Sequence, residues 1–291
     1  MCQEQETLPT NKFNTITLQK EKNIVIKTGN PTFLRGECFF YQNIPSHVRE
    51  YFPQFLGAND MCSELVLEYI DGTPVYTMYK MRMLNNSHLS KIFSFIDKLH
   101  EGEIGADPEM ATTISKKDIS ANYIDKLQQR FQLREEYPFP DREVLQKLCL
   151  SRLETYLALD GNVVIKPFVH GDLWFSNMMF DKFQNLKVLD MKGQVNNILT
   201  TAGDRMYDYG KLYQSILGYD TVLYNHFVDE IYRNEMHFIF EAEMVHRNIN
   251  LEHLKIVTFS LVMGTFYFIE SKETKLRVWA WIKQNLALKF L

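Results

Sequence analysis

The chain has 291 residues, 45% of them hydrophobic, which is enough to bury a core in one or two domains. A formal net charge of -4 without a long basic run excludes a nucleic-acid footprint. Four scattered cysteines with no C-x-x-C pair indicate reduced thiols, so we expect a cytoplasmic protein. The N-terminus lacks a signal-peptide core, and the longest apolar run, VTFSLVMGTFYFI, is shorter than the roughly 20 residues that cross a bilayer, so no membrane insertion is expected.

The first third of the chain is rich in strand signals. The β-branched runs NTITLQ and KNIVIKT, joined by KEK, predict a hairpin. FLRGECFFY is predicted to open a helix, and PQFLGANDMCSELVLEYIDG predicts two more strands that end at the turn Asp71-Gly72.

Helical periodicity dominates the rest of the chain. NSHLSKIFSFIDKLH predicts an amphipathic helix capped by Asn86 or Ser87. Strand-like runs, NVVIKPFVHGDL and LKVLDMKG, surround residues 170–185. Further helices are predicted at residues 117–134, 142–159, 207–217, 222–240, 251–270 and 275–288. The pattern predicts an α+β protein with a β-rich N-terminal lobe (residues 1–70) and a larger, mostly helical lobe (residues 71–291).

Polar residues follow two of the apolar runs near the middle of the chain. Asp172 and Asn177 lie in VHGDLWFSN, and Asp190 ends the run LKVLD. Two carboxylates and an amide oxygen are ligands that Mg²⁺ prefers, with water and substrate phosphates completing its shell. Phosphoryl transfer needs such a metal and a carboxylate that accepts the proton of the attacking hydroxyl.

Phosphoryl transfer also needs a cation on the nucleotide phosphates. Lys27, at the end of the apolar run NIVIK, supplies one, and Glu37 in LRGE is the acid expected to hold it. Glu50 and Glu64 are alternatives to Glu37. The chain order Lys, Glu, Asp, Asn, Asp is the order of these groups in protein kinases.

VHGDLWFSN together with VLDMKG resembles the aminoglycoside phosphotransferase and choline kinase family, relatives of the protein kinases that phosphorylate small molecules. The stretches KTGNPTFLRGE, LEYIDG and GDRMYDYGKLYQSILGYD resemble most closely the subgroup associated with bacterial capsular and surface polysaccharides. The resemblance covers about residues 14–220. It implies a two-lobe, protein-kinase-like fold that uses ATP and Mg²⁺ to phosphorylate a small-molecule acceptor.

The resemblance also implies roles for individual residues. The nucleotide side comprises the phosphate-binding Lys27, its partner Glu37, and a hinge for adenine formed by Glu68, Tyr69 and Ile70. The chemical side comprises the base Asp172, the loop-bracing His170, the Mg²⁺ ligands Asn177 and Asp190, and the candidate acceptor or phosphate contacts Trp174, Lys192 and Asp208.

The sequence departs from the kinase pattern in its phosphate loop. No G-x-G-x-x-G precedes Lys27, so the loop near residues 11–15 is expected to cover the phosphates with Asn and Thr amides. The preferred function is a kinase of a sugar, amino alcohol or amino-acid derivative, acting on a hydroxyl or an amide. An antibiotic kinase and a nucleotide-binding pseudokinase or scaffold are the alternatives. Glu241 and Glu243 could face a cationic acceptor, although a solvated helix face is preferred for both.

Overall fold

A computed structural model of the chain describes residues 14–101, 114–132 and 139–287, and the backbone of residues 6–8. Within these ranges the strands are β1 (Glu6–Leu8), β2 (Asn14–Gln19), β3 (Ile24–Gly29), β4 (Phe55–Ala58), β5 (Glu64–Glu68), β6 (Gly72–Pro74), β7 (Ile165–Lys166), β8 (Met178–Asp181), β9 (Leu186–Val188), β10 (Gln194–Val195), β11 (Ile198–Leu199) and β12 (Gly203–Asp204). The helices are α1 (Pro31–Gln42), α2 (Val75–Lys80), α3 (Asn86–Glu101), α4 (Lys116–Gln132), α5 (Arg142–Ala158), α6 (Arg205–Ile216), α7 (Tyr219–Leu223), α8 (Glu230–His246), α9 (Leu251–Thr265) and α10 (Lys272–Asn285).

The N-terminal part is an antiparallel five-stranded sheet in the order β1-β2-β3-β5-β4. The predicted hairpin is confirmed: β2 and β3 pair with Ile16 opposite Lys27, and Asn23 closes the turn in a left-handed conformation. Of the residues of β3, Lys27 is the one that is buried, although its neighbours are apolar. A lysine in that position needs an anionic partner in the folded protein.

Helix α1 covers this sheet, as predicted from FLRGECFFY. It begins after Asn30, whose side chain accepts a hydrogen bond from the Thr32 N–H, and Pro31 occupies its first turn. Leu34 and Cys38 on its inner face pack on Leu65 of β5 and form a small apolar cluster. That contact fixes which face of α1, and therefore which of its acids, looks toward β3.

The C-terminal part is mostly helical, and its core centres on α6 and α9. A three-stranded antiparallel sheet in the order β6-β8-β9 and the pair β7-β12 lie beside these helices. The short strands carry the loops that contain residues 170–177 and 189–193. The predicted α+β architecture, with a small β-rich N-terminal part and a helical C-terminal part, is confirmed. The division at residue 70 stays a prediction.

Two predicted helices differ from the structure because local capping signals interrupt them. The segment 222–240 is not one helix: α7 ends at Leu223, Asn225 adopts a left-handed conformation, and the Asp229 side chain caps α8 by accepting from the Tyr232 N–H. The helix predicted at 251–270 ends at Thr265 and continues as a short 3-10 turn, Phe266–Phe268.

Other differences are smaller. Asn85, and not Asn86 or Ser87, caps α3, because its side chain accepts from the His88 N–H. Strand β8 and helix α2 were not predicted, and the run NVVIKPFVHGDL contains only the two-residue strand β7. Helix α10 begins at Lys272, where Ser271 caps it, earlier than residue 275. No helix within the described ranges is long and apolar enough to cross a membrane.

Candidate active site

Lys27 lies between two carboxylates. Its Nζ is 2.6 Å from Glu37 Oε2 and 2.6 Å from Asp190 Oδ1, and the Lys27 and Glu37 side chains are both buried. Burial works to lower the pKa of Lys27, but the charges of Glu37 and Asp190 outweigh it and the pKa is raised. Burial raises the pKa of Glu37 to about 7, against the opposing effect of Lys27. Lys27 is therefore held charged.

The structure places Glu37 beside Lys27 as predicted. Glu50, one of the two alternatives, is exposed, and Glu64 lies in β5 opposite Thr28. Asp190 differs from Glu37 in being open to the cleft, with 39% of its side chain exposed. Lys27 is thus anchored by one buried acid and touches one acid that a ligand can reach.

Two glycines bring Glu37 and Asp190 to the same side of Lys27. A Cβ on Gly36 would lie 2.2 Å from the Lys192 carbonyl oxygen, and one on Gly193 would lie 1.7 Å from the Gly36 oxygen. Gly193 also has a positive φ of 56°, which favours glycine. Helix α1 and the chain after Asp190 therefore meet backbone to backbone, which only residues without a side chain allow.

Asp208 holds the loop that carries the predicted base. It is fully buried, accepts from the backbone N–H groups of His170 (2.9 Å) and Gly171 (2.8 Å), and lies 3.1 Å from His100 Nε2. Its carboxylate thus fixes the loop and does not face the cleft. This placement fits a structural role for Asp208 and does not support the acceptor or phosphate contact predicted for it from the sequence.

His170 is buried inside the same loop. Its Nδ1 accepts from the Asp172 N–H at 3.2 Å, and burial lowers the pKa of the imidazole despite three nearby carboxylates. A neutral ring that accepts at Nδ1 carries its proton on Nε2. The position of His170 fits the predicted bracing role.

Both oxygens of Asp172 are engaged. Lys211 Nζ donates to Oδ1 at 2.9 Å, and Asn177 Nδ2 donates to Oδ2 at 3.1 Å. Burial works to raise the pKa of Asp172, but the Lys211 ammonium outweighs it and holds the pKa below its usual value. With 39% of its side chain exposed, Asp172 is an ionised carboxylate at the surface of the cleft.

Lys211 and Ser215 were missed from the sequence. Both lie on α6 with Asp208, at positions i, i+3 and i+7 of one face, and all three side chains are buried. Ser215 Oγ accepts from the Phe175 N–H at 3.1 Å, so the three residues hold the 170–177 loop at successive points. The signal in the sequence was the spacing of the polar residues in DYGKLYQS, which places them on one face of a helix.

Asn177 and Asp190 are brought together by β8 and β9. Met178 pairs with Val188, and the Asn177 carbonyl accepts from the Leu189 N–H at 2.9 Å. Asn177 uses its Nδ2 toward Asp172, so the amide oxygen remains the group suited to a cation. No cluster of three or more His, Cys, Asp or Glu side chains able to hold a metal occurs in the described ranges, so substrate oxygens would have to complete the shell.

The hinge prediction concerns Glu68, Tyr69 and Ile70. The N–H of Glu68 donates to the Gln54 carbonyl, and that of Tyr69 donates to the Asn23 carbonyl. Neither N–H is therefore available to a ligand. Within the described residues, the backbone N–H of Ile70 has no such bond, so it is the hinge N–H that remains open to a ligand.

The remaining predicted acceptor or phosphate contacts are Trp174 and Lys192. Trp174 is half-buried, packs on the core, and its indole N–H has no partner among the described residues. Lys192 Nζ lies 5.7 Å above the Tyr207 ring. Of the predicted phosphate loop, residues 11–13 lie outside the described residues. Asn14 and Thr15 belong to β2, paired with Gly29 and Thr28, so these two form a strand instead of a loop.

The solved structures similar to this chain include kinases of small molecules. Choline kinase LicA from Streptococcus pneumoniae superposes with a TM-score of 0.65 at 15% identity, covering 98% of this chain and 93% of that one. The chain has a protein-kinase-like fold. Aminoglycoside phosphotransferase APH(4)-Ia gives 0.67 at 11% identity, covering 97% and 94%. The GDP complex of aminoglycoside 2'-phosphotransferase-IIIa gives 0.63 at 13% identity, covering 99% and 93%.

At these identities the likeness establishes the fold and not the reaction. No protein-family model and no curated protein matches the sequence.

Proposed function

We propose that the chain is an ATP- and Mg²⁺-dependent kinase of a small-molecule hydroxyl. The observation that carries the proposal is the placement of Lys27 between Glu37 and Asp190. A buried lysine with a purely structural role needs only one acid as its partner. Here a second, cleft-facing acid shares the lysine and lies beside Asn177, which in turn contacts Asp172. The five groups that phosphoryl transfer requires are thus connected.

Mg²⁺ would be held by Asn177 and Asp190, whose hard oxygen atoms suit it. Bound there, it would neutralise charge on the nucleotide phosphates during transfer. Lys27, fixed by Glu37, would bind the phosphates from the side of the sheet, and the Ile70 N–H would meet the adenine ring. ATP would therefore lie against β3 and β5, between Lys27 and Ile70.

Asp172 would orient the acceptor hydroxyl. Its lowered pKa makes it a weak base, so it takes the proton late, as the new oxygen–phosphorus bond forms. Late proton transfer suits a loose transition state, because the bond between the attacking oxygen and phosphorus is still weak in that state. Lys211 keeps the carboxylate in place and lends a positive charge beside the transferring group.

Two observations bear on the class of acceptor. The names of the similar structures refer to choline and aminoglycosides, and the sequence resemblance suggests a sugar, amino alcohol or amino-acid derivative for a surface polysaccharide. An antibiotic kinase remains the nearest rival. A cytoplasmic location follows from the thiol pattern of the sequence and is proposed with the rest.

The test is phosphate transfer from γ-labelled ATP to a panel of sugars, amino alcohols and aminoglycosides. We expect transfer that requires Mg²⁺ and is lost in Asp172→Asn, while that variant still binds Mg²⁺ and ATP. An Asp172→Asn variant that transfers at the wild-type rate would refute the role of Asp172. Nucleotide binding without transfer to any acceptor or to water would favour a pseudokinase.

A further inference from the structure

Asp172 lies next to a cluster of four cations. Lys211 pairs with it directly at 2.9 Å. The Lys192 side chain begins next to the residue before Asp172: its Cβ lies 2.8 Å from the position that a Cβ on Gly171 would occupy. Lys126 and Arg130 approach from α4, where Lys126 is a direct neighbour of Lys192 and Arg130 is within electrostatic reach of Asp172.

The α4 residues form one face of that helix. Asn122, Lys126 and Arg130 follow each other at i, i+4 and i+8, so they line up along the side turned toward the cleft. The Arg130 guanidinium is anchored at the other end, with Nη1 donating to the Gly264 carbonyl at 3.0 Å and the group lying 4.8 Å above Phe268. These two contacts leave most of its donors to serve another partner.

The cations lack matching acids. Within the described ranges, Lys126, Arg130 and Lys192 form no ion pair with a carboxylate, whereas Lys211 pairs with Asp172 and lies within electrostatic reach of the buried Asp220. The pKa of Lys126 is lowered well below its ordinary value. Burial is the largest cause, and the charges of Lys192, Arg130 and Lys211 add to it. Neighbouring like charges without an anion destabilise a fold. An arrangement of this kind is explained by an anion that binds there.

The pocket beside these cations has a polar wall as well. Asn122 is 6% exposed, lines this pocket with Gly171, Lys192 and Tyr207, and its Oδ1 has no hydrogen-bond partner among the described residues. That oxygen can accept from a ligand hydroxyl. Asn122 is thus a buried polar group that a ligand would satisfy, independent of the charge argument.

Three acids that could bind a cationic acceptor, namely Asp204, Glu241 and Glu243, already have partners. Asp204 lines the same pocket but is buried and accepts from the hydroxyls of Tyr156 (2.9 Å) and Tyr123 (3.3 Å). Glu241 pairs with Lys255, and Glu243 pairs with Arg247, so neither of these two acids is available. The sequence-based alternative in which these acids face a cationic acceptor is not supported.

We propose that the acceptor is an anion: a small hydroxyl compound that carries a phosphate or carboxylate group. Lys126, Arg130 and Lys192 would bind the anionic group, and the Asn122 oxygen and Asp172 would bind hydroxyls. The inference rests on the proposed function and deepens it. It predicts a substrate opposite in charge to choline and the aminoglycosides.

Inorganic phosphate is the probe for the anionic group. It is titrated into the full chain saturated with Mg²⁺ and AMPPNP, so that the γ-phosphate position is filled and phosphate reports on the acceptor side. Lys126→Met is expected to weaken phosphate binding about tenfold, the effect of one charge-assisted hydrogen bond. Lys117→Met is the control, because Lys117 is exposed on the opposite face of the same helix.

Lys126→Met is also expected to leave the melting temperature unchanged or to raise it, because the substitution relieves repulsion among the cations. If it lowers the melting temperature sharply, Arg130→Gln replaces it in the same titration. Absence of phosphate binding to the wild type, or equal binding to the wild type and the variant, would overturn the inference. Failure of AMPPNP to bind would contradict the proposed function instead, and phosphate titration without nucleotide would still decide the anion site.

Turnover provides the second readout. Matched pairs of acceptors that differ only in charge, such as glycerol with glycerol 3-phosphate and glucose with glucuronate, are compared with choline and kanamycin. The anionic member of a pair is expected to have the higher kcat/KM, and Lys126→Met is expected to raise its KM without changing the KM for ATP. A higher kcat/KM for choline or kanamycin would overturn the inference.

Discussion

Lys211 Nζ lies 2.9 Å from Asp172 Oδ1, and this buried lysine is the cation that keeps the predicted base ionised. The pair joins α6 to the 170–177 loop at the point where the acceptor hydroxyl would sit. A carboxylate in this position needs a fixed orientation more than a high basicity, because phosphoryl transfer is dominated by positioning and charge stabilisation.

Replacing Lys211 tests that relationship. Lys211→Met is expected to lower kcat about 100- to 1000-fold, the usual effect of losing a preorganised charge next to a reacting group. The KM for ATP should change little, since Lys27 and Asp190 lie elsewhere in the cleft. Lys211→Arg, which keeps the charge, should recover part of the loss. An unchanged kcat in Lys211→Met would show that the pair is only structural.

Asp208 should matter for stability. Asp208→Ala leaves the N–H groups of His170 and Gly171 without their acceptor in a fully buried site, and we expect unfolding to become easier by about 3–5 kcal/mol. Urea unfolding followed by circular dichroism measures the change. Asp229→Ala, which removes the cap of α8, is the comparison and should cost about 1 kcal/mol. Equal losses of stability would mean that Asp208 contributes no more to folding than the cap of α8 does.

Asp220 gives a pH dependence with a defined sign. It is fully buried beside Ser215, and burial raises its pKa from 3.8 to about 7. As the pH rises from about 4 to 7, the unfolded chain loses this proton first, so stability falls by up to about 1.4 kcal/mol per pH unit.

Asp220→Asn removes that titration and leaves those of Glu37 and Asp204, whose pKa values burial also raises. The free energy of unfolding of the variant, relative to the wild type, should therefore increase between pH 5 and pH 7. Urea unfolding at several pH values measures this difference. Parallel curves for the two proteins would contradict the raised pKa.

The Gly36 contact predicts an effect of a single methyl group. Gly36→Ala places a Cβ 2.2 Å from the Lys192 carbonyl, so α1 must move and Glu37 must leave its position beside Lys27. We expect the affinity for Mg²⁺ and ATP to fall at least tenfold, as measured by calorimetry. Phe33→Ala, at an exposed position of the same helix, is the control. Wild-type affinity in Gly36→Ala would show that α1 does not position Lys27.

The sequence was sufficient for those parts of the site that follow local rules. The hairpin carrying Lys27 was predicted from two β-branched runs, and α1 with Glu37 was predicted from the run FLRGECFFY. Asp172, Asn177 and Asp190 follow from their spacing. Each of these positions depends on residues close to it in the chain, which is why pattern and resemblance reached them.

Long-range contacts were not predictable in the same way. Lys211 contacts Asp172 from a helix that follows much later in the chain. Lys126 on α4 and Lys192, which follows β9, are likewise neighbours in space but distant in sequence. No single-sequence period encodes the side of α4 that faces the cleft. The break between α7 and α8 was missed for a different reason, since Asn225 and Asp229 are local signals that outweighed an otherwise continuous apolar pattern.

The most direct test of the account is nucleotide binding by the wild type and by Asp190→Ala, each with and without Mg²⁺, measured by calorimetry. Mg²⁺ is expected to increase the affinity of the wild type for ATP at least tenfold and to have no effect on the variant, which should also lose turnover. Equal enhancement by Mg²⁺ in Asp190→Ala would contradict the proposed metal site and, with it, the kinase mechanism.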